Sequence, residues 1–209
     1  MMTQTIFVKN ISVYDLEEQF GLELNNKEIF TDLSNNSTTV TELETVFLER
    51  VRSNYSNLTK RRPMSEEAVK MVVLSPLLDL AGFYQPPFDI ETETPIQIST
   101  EDDGVVIKGN IDVLVVQRRL WILVIESKAT KFDVMTALPQ ALAYMLDGLK
   151  CEQPIFGLLM NGREFVFVKM TKQAPPQYGL SRAFSILKPE RDLYDILHLL
   201  KYIGRLIDR

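Results

Sequence analysis

One cysteine, Cys151, and one histidine, His198, are all that the sequence holds of either residue. A lone cysteine excludes an internal disulfide framework. With no CxxC pair and no Cys/His cluster, zinc and iron–sulfur sites of the usual spacing are excluded too. A reducing cytoplasm is the setting this expects. The single histidine lies in the helical pattern LYDILHLLKYI and reads as a packing residue, so histidine-based triads fall away as a class. No apolar run reaches the ~18 residues that span a bilayer, and the opening MMTQTIFVKNISVYDLEEQF has no basic segment leading into an apolar stretch. Neither a membrane anchor nor a secretory leader is expected. A GxxxxGK(S/T) phosphate loop is absent as well, so this polypeptide carries no ATP motor of that kind.

Positive charge is also in short supply: 23 basic against 28 acidic residues give a formal net charge of -5. A protein that grips nucleic acid through its overall charge is not expected, and any such contact must be local. Candidate basic spots are Lys60-Arg61-Arg62, Arg118-Arg119, and Lys128 with Lys131. Taken alone, each reads as solvated surface charge.

What is present suits one ordinary domain. The chain has 209 residues, 45% apolar and 24% charged, enough for a full core and too few for two large domains. Residues 12–22 predict a short helix capped by Ser12, and 25–39 are polar and turn-rich. Thr41-Glu-Leu-Glu44 is a capping box opening a second helix. The first sixty residues are therefore expected to form a helical accessory segment ahead of a main domain over 61–209. That domain opens with a helix from about Ser65 to Gly82, carrying Val69, Val72, Val73, Leu77 and Leu80 at helical spacing. Strands are predicted over 88–98, 104–116, 120–129, 155–160 and 164–170, with a helix over 132–149 and a last one over 192–207. IDVLVV and WILVIE are almost continuously apolar, the mark of strands covered on both faces. The fold class expected is α/β, a sandwich with helices on both sides of a central sheet.

Three charged residues interrupt those buried strands: Asp112, Glu126 and Lys128. A buried carboxylate is costly unless it is paired or holds a metal. All three are even-numbered, so in an antiparallel hairpin they share a face if the connection around 117–120 has an odd number of residues. A two-residue connection without a bulge would separate them.

Aspartate in one strand followed by Glu-x-Lys in the next resembles the PD-(D/E)xK nuclease superfamily. The motif reads Gly109-Asn-Ile-Asp112 and Glu126-Ser-Lys128, without the proline of the family's name. Gln140-Ala-Leu-Ala-Tyr144 resembles the QxxxY motif of RecB-like nucleases and of the N-terminal nuclease domains of type I restriction R subunits. Its two side chains lie one helical turn apart. Ser65-Glu66 followed by Pro76-Leu77-Leu78 looks like the first helix of those same domains, which supplies an acid. Glu66 leads the inward stripe of Val69, Val73 and Leu77, and Glu67 is rotated about 100° from it. The resemblance runs from about Ser65 to Met170 and does not include the first sixty residues.

The resemblance implies a restriction-endonuclease-like α-β-α sandwich with a central mixed sheet and an N-terminal helical extension. It implies a DNA endonuclease dependent on Mg2+, with Mn2+ as substitute. Asp112, Glu126, Glu66 and the Ser127 carbonyl would be metal ligands, since magnesium prefers oxygen donors. Lys128 would position or help deprotonate the attacking water, and Gln140 and Tyr144 would orient Lys128, the metal shell or a phosphate. DNA is the implied partner, with other restriction-modification subunits and a homodimer as further possibilities. Structural readings stay open: Glu66 as a helix N-terminal acid, Asp112 with Lys128 as an ion pair, Gln140 and Tyr144 as one face of an amphipathic helix. So does a catalytically silent module of this fold that binds nucleic acid or a protein.

Overall fold

A computed structural model describes residues 4–25, 40–99, 105–117, 120–149, 153–188 and 192–206. Cys151, Arg118 and Arg119, the polar stretch at 26–39, and the outer ends of the elements expected at Gly104 and Ile207 lie outside the described residues.

The long strands follow the apolar runs. β1 (Gln4–Phe7) and β2 (Glu23–Leu24) are short; β3 (Phe88–Ser99), β4 (Val105–Gln117) and β5 (Leu120–Ser127) form a meander; β6 (Ile155–Met160) and β7 (Glu164–Thr171) form a second hairpin; β8 (Gln177–Leu180) and β9 (Phe184–Ser185) finish the set. They make one mixed sheet of nine strands in the order β1-β4-β5-β6-β7-β8-β2, with β3 also on β4 and β9 also on β7. The parallel pairs are β1 with β4, β5 with β6 and β2 with β8.

Helices cover both faces, as continuous apolar strands require. On one side lie α2 (Glu42–Thr59), α3 (Glu66–Val69), α4 (Ser75–Ala81) and α6 (Asp192–Arg205), whose Leu48, Val69, Leu77 and Ile196 pack in one core with Val115, Ile125 and Leu158. On the other lie α1 (Val13–Phe20) and α5 (Leu138–Gly148), whose Leu16, Ala141 and Met145 pack on Leu114, Val124 and Leu159. The molecule is an α-β-α sandwich. Both expected N-terminal caps are formed: Ser12 with Asp15 on α1, and Thr41 with Glu44 on α2. Residues 1–60 supply more than helices, because β1 pairs with β4 and β2 with β8.

The helix expected from Ser65 to Gly82 is divided. A π-helical turn, Lys70–Leu74, separates α3 from α4. Pro76 has no N–H to offer the carbonyl of Val72, four residues earlier, and the helix widens in the turn before it. The helix expected over 132–149 opens instead with a 3-10 turn, Val134–Ala137, capped by the Asp133 side chain.

α6 is anchored by its first residue. The buried Asp192 carboxylate accepts from the Arg182 guanidinium at 2.9 Å and from the Ser185 N–H at 2.8 Å. Burial opposes its charge, but Arg182, the Ser185 N–H and Lys188 outweigh burial and hold its pKa below the ordinary 3.8. A lowered folded-state pKa contributes stability that is present above the unfolded value and is lost as pH falls through the folded one. Asp192→Asn should cost about 2 kcal/mol at neutral pH, read by urea unfolding, and the gap should close on acidification. A gap that persists at the lowest pH would assign the cost to packing.

Candidate active site

The hairpin of β4 and β5 sets the geometry. Val113 pairs with Ile125 and Gln117 with Leu120, so only two residues separate the paired ends. That connection alone would put Asp112 and Glu126 on opposite faces. A register shift between Val115 and Val116 leaves Ile122 without a partner, and the bulge restores the parity. Extended by one step, the register sets Asp112 opposite Glu126.

Alternation along β4 is not uninterrupted, as simple parity assumes. Ile107 and Ile111 pack in the core beneath α5, whereas Val113 and Val115 pack in the opposite core. The faces exchange at Asp112. On β3, Glu93 stands opposite, and it is the one non-glycine residue with positive φ among the described residues, at 51°. A strained backbone at this point is what sites of function often show.

One edge of β4 also has a gap. β1 pairs with residues 105–108 and β5 with 113–117, so between them no strand is paired on that side. Side chains fill the gap: the Tyr144 hydroxyl donates to the Asn110 carbonyl at 2.9 Å, and the Asp112 N–H points to Glu126 Oε1 at 3.4 Å. Buried main-chain polar groups need such partners. The approach is close enough that a Cβ on Gly109 would come within 2.8 Å of the Tyr144 hydroxyl and 2.9 Å of Val8.

Within this gap the charges converge. Glu126 is 1% exposed, and its Oε2 lies 3.5 Å from Lys128 Nζ. Asp112 Oδ2 accepts from the Ser127 N–H at 2.8 Å. Glu66, on the first turn of α3, reaches the same cluster, since its carboxylate and that of Asp112 repel each other. Burial first, and then the charge of Asp112, push the Glu126 pKa from 4.5 to about 8, against the pull of Lys128 and the Asp112 N–H. Glu66 is raised by burial and Asp112, with Lys128 and Lys70 opposing. Tyr144 is raised by burial and by Glu126 and Asp112, while Gln140, which hydrogen-bonds to it, works the other way. The structure thus brings all six candidate side chains into one neighbourhood. Gln140 and Tyr144 act on each other and on the β4 main chain.

Sequence reasoning missed Lys70 and Glu93. Lys70 Nζ lies 3.5 Å from Asp112 Oδ1, 3.6 Å from Glu93 Oε1 and 3.7 Å from Glu66 Oε1. Burial disfavours its ammonium, but the three carboxylates outweigh burial and raise its pKa. The ion pairs are therefore Lys70 with Asp112 and Lys128 with Glu126, in place of Asp112 with Lys128. An i,i+4 Glu-Lys spacing was the available signal for Lys70; Glu93 is joined to the site only through strand register.

The donor set is one of oxygens, which suits a hard divalent cation. Among the described residues, no three acidic, histidine or cysteine side chains already stand as a preformed cage. Ionising Glu126 beside Asp112 would nonetheless gather negative charge that burial opposes and that a cation would relieve. Of the expected basic rim, Arg61, Arg62 and Lys131 line one cleft with Lys60 and Arg163.

The family model for the N terminus of type I restriction enzyme R proteins matches residues 8–176. The chain belongs to that family. A solved fragment described as an HsdR subunit of a type I restriction enzyme from Vibrio vulnificus YJ016 is similar at 20% identity and a TM-score of 0.41. The match covers 66% of this chain and 26% of that one, so this chain spans about a quarter of its length. No curated protein matches. No helix among the described residues is long and apolar enough to cross a membrane.

The Glu126 shift has a testable sign. Its folded-state pKa of about 8 lies above the ordinary 4.5, so its contribution is fully present below the unfolded value and is lost as pH rises through the folded one. In chelator, wild type should lose a few kcal/mol relative to Glu126→Gln between about pH 5 and about pH 9. Parallel stability curves for the two proteins would show that Glu126 ionises without cost.

Proposed function

We propose that the chain is a metal-dependent nuclease that hydrolyses DNA phosphodiester bonds, a restriction-type domain acting in the cytoplasm. The observation that carries the reading is the nearly inaccessible Glu126 carboxylate beside Asp112, flanked by two lysines, in a member of the R protein N-terminal family. A structural ion pair needs one acid and one base. Here three buried or half-buried acids and Glu93 are gathered around Lys70 and Lys128.

In this reading Asp112, Glu126, the Ser127 carbonyl and Glu66 hold Mg2+ or Mn2+. Such an ion polarises the phosphoryl oxygen and lowers the pKa of a bound water. Lys128, tethered to Glu126, keeps positive charge beside the reacting phosphate and orients the attacking water. Tyr144 fixes the main chain at Asn110, two residues before Asp112, and Gln140 holds Tyr144. Lys70 steadies Glu66 and Asp112, whose charge a divalent ion would also neutralise. DNA is the substrate, and other subunits of a restriction system are the natural partners.

A catalytically silent module of the same fold is the second reading, favoured by Lys70, which already answers three carboxylates. Supercoiled plasmid incubated with Mg2+ or Mn2+ separates the two. Wild type should nick or linearise it, and both Asp112→Ala and Lys128→Ala should slow cleavage by about a hundredfold or more. Calorimetry should tell the variants apart: Asp112→Ala loses metal affinity, and Lys128→Ala keeps or gains it. Cleavage by Lys128→Ala at the wild-type rate would remove the lysine from the mechanism, and an inert wild type would leave the silent module.

A further inference from the structure

A cleft of about 690 Å³ opens next to the site, between the segment leading into α3 and the segment leaving β5. Five cations line it: Lys60, Arg61 and Arg62 on one wall, Lys131 and Arg163 on the other. Two carboxylates share the cleft, and both are engaged, Asp133 in capping the Met135 N–H at 2.7 Å and Glu164 in an ion pair with Arg163 at 3.5 Å. In a chain of net charge -5, five cations against two carboxylates make a local excess of positive charge.

Two further observations point to a ligand. The Thr130 hydroxyl and the Arg163 Nε, both on lining residues, are buried atoms with no hydrogen-bond partner among the described residues. Phe132 is 48% exposed at the mouth, with Lys131 Nζ over its ring at 5.0 Å. Cations interleaved with an aromatic ring fit a sugar-phosphate backbone.

The walls are fixed to the catalytic elements. Thr130 N–H donates to the Met64 carbonyl at 3.2 Å, and Asn161 holds the Phe132 carbonyl at 2.9 Å. Met64 is two residues from Glu66, and Lys131 is three residues from Lys128. Three residues of chain reach at most about 10 Å, which corresponds to about three nucleotides at ~3.4 Å rise per phosphate. We infer that this cleft binds the backbone phosphates of a nucleic acid within about three nucleotides of the bond at the acidic site. The inference rests on the nuclease reading for what happens at that bond and is independent of it for the binding itself.

Fluorescence anisotropy with a labelled short DNA duplex in chelator, across a series of salt concentrations, tests it without turnover. Arg61→Ala/Arg62→Ala/Lys131→Ala, all at exposed positions, should bind at least about tenfold more weakly, with the log–log salt slope reduced by about 2 to 3. Arg50→Ala, which removes an exposed cation elsewhere on α2, should bind as wild type. Wild-type affinity and slope in the triple variant, with the plasmid still cut, would overturn the cleft and leave the nuclease reading intact. Loss of duplex binding in the triple variant of a protein that cuts nothing would sustain the cleft and remove the nuclease reading. Failure of wild type to bind duplex, with an acidic peptide bound instead, would also overturn the inference and give the cleft to a protein partner.

Discussion

The burial of Glu126 beside Asp112 is the constraint around which the middle of this molecule is organised. A carboxylate sealed from water beside a second one is a poor arrangement by itself, since burial and like charge both oppose ionisation. Each neighbouring element answers it. The residue after β5 is Lys128, the widened turn between α3 and α4 brings Lys70, and α5 brings a tyrosine that ties down the main chain of β4. The gap in the pairing along β4 gives these groups their room. A continuous ladder there would have consumed the Asn110 carbonyl and the Asp112 N–H and left nothing for side chains to hold.

Much of this was legible in the residues. The apolar runs of β4 and β5 predict strands covered on both faces, and the charges within them mark the site before any fold is known. The inward phase of Glu66 survives the π turn because Val69, Val73 and Leu77 all remain fully buried. Other features had no local signature. β1, β2, β8 and β9 have two to four residues each, too short to show a period, and they form only because an edge is there to pair with. The parity of Asp112 and Glu126 depends on a bulge at Ile122, inside a run of apolar residues that looks uniform in sequence. Glu93 reaches Lys70 through the register of β3 on β4, which no spacing of residues encodes.

The two clusters of opposite sign adjoin: acids and two lysines in the strand gap, five cations in the cleft beside it. The overall negative charge is no obstacle to an anionic substrate when the field that matters is set within a few ångströms by Lys60, Arg61, Arg62, Lys131 and Arg163.

The central claim is that the Asp112–Glu126 gap is a metal site whose charge Lys70 and Lys128 hold in balance when no ion is bound. Anomalous scattering from crystals grown with Mn2+ tests it most directly. The account predicts a peak bonded to Asp112, Glu126 and the Ser127 carbonyl at about 2.2 Å, with the Lys70 ammonium withdrawn from Asp112. No peak at saturating Mn2+, with both lysines still on their carboxylates, would contradict it.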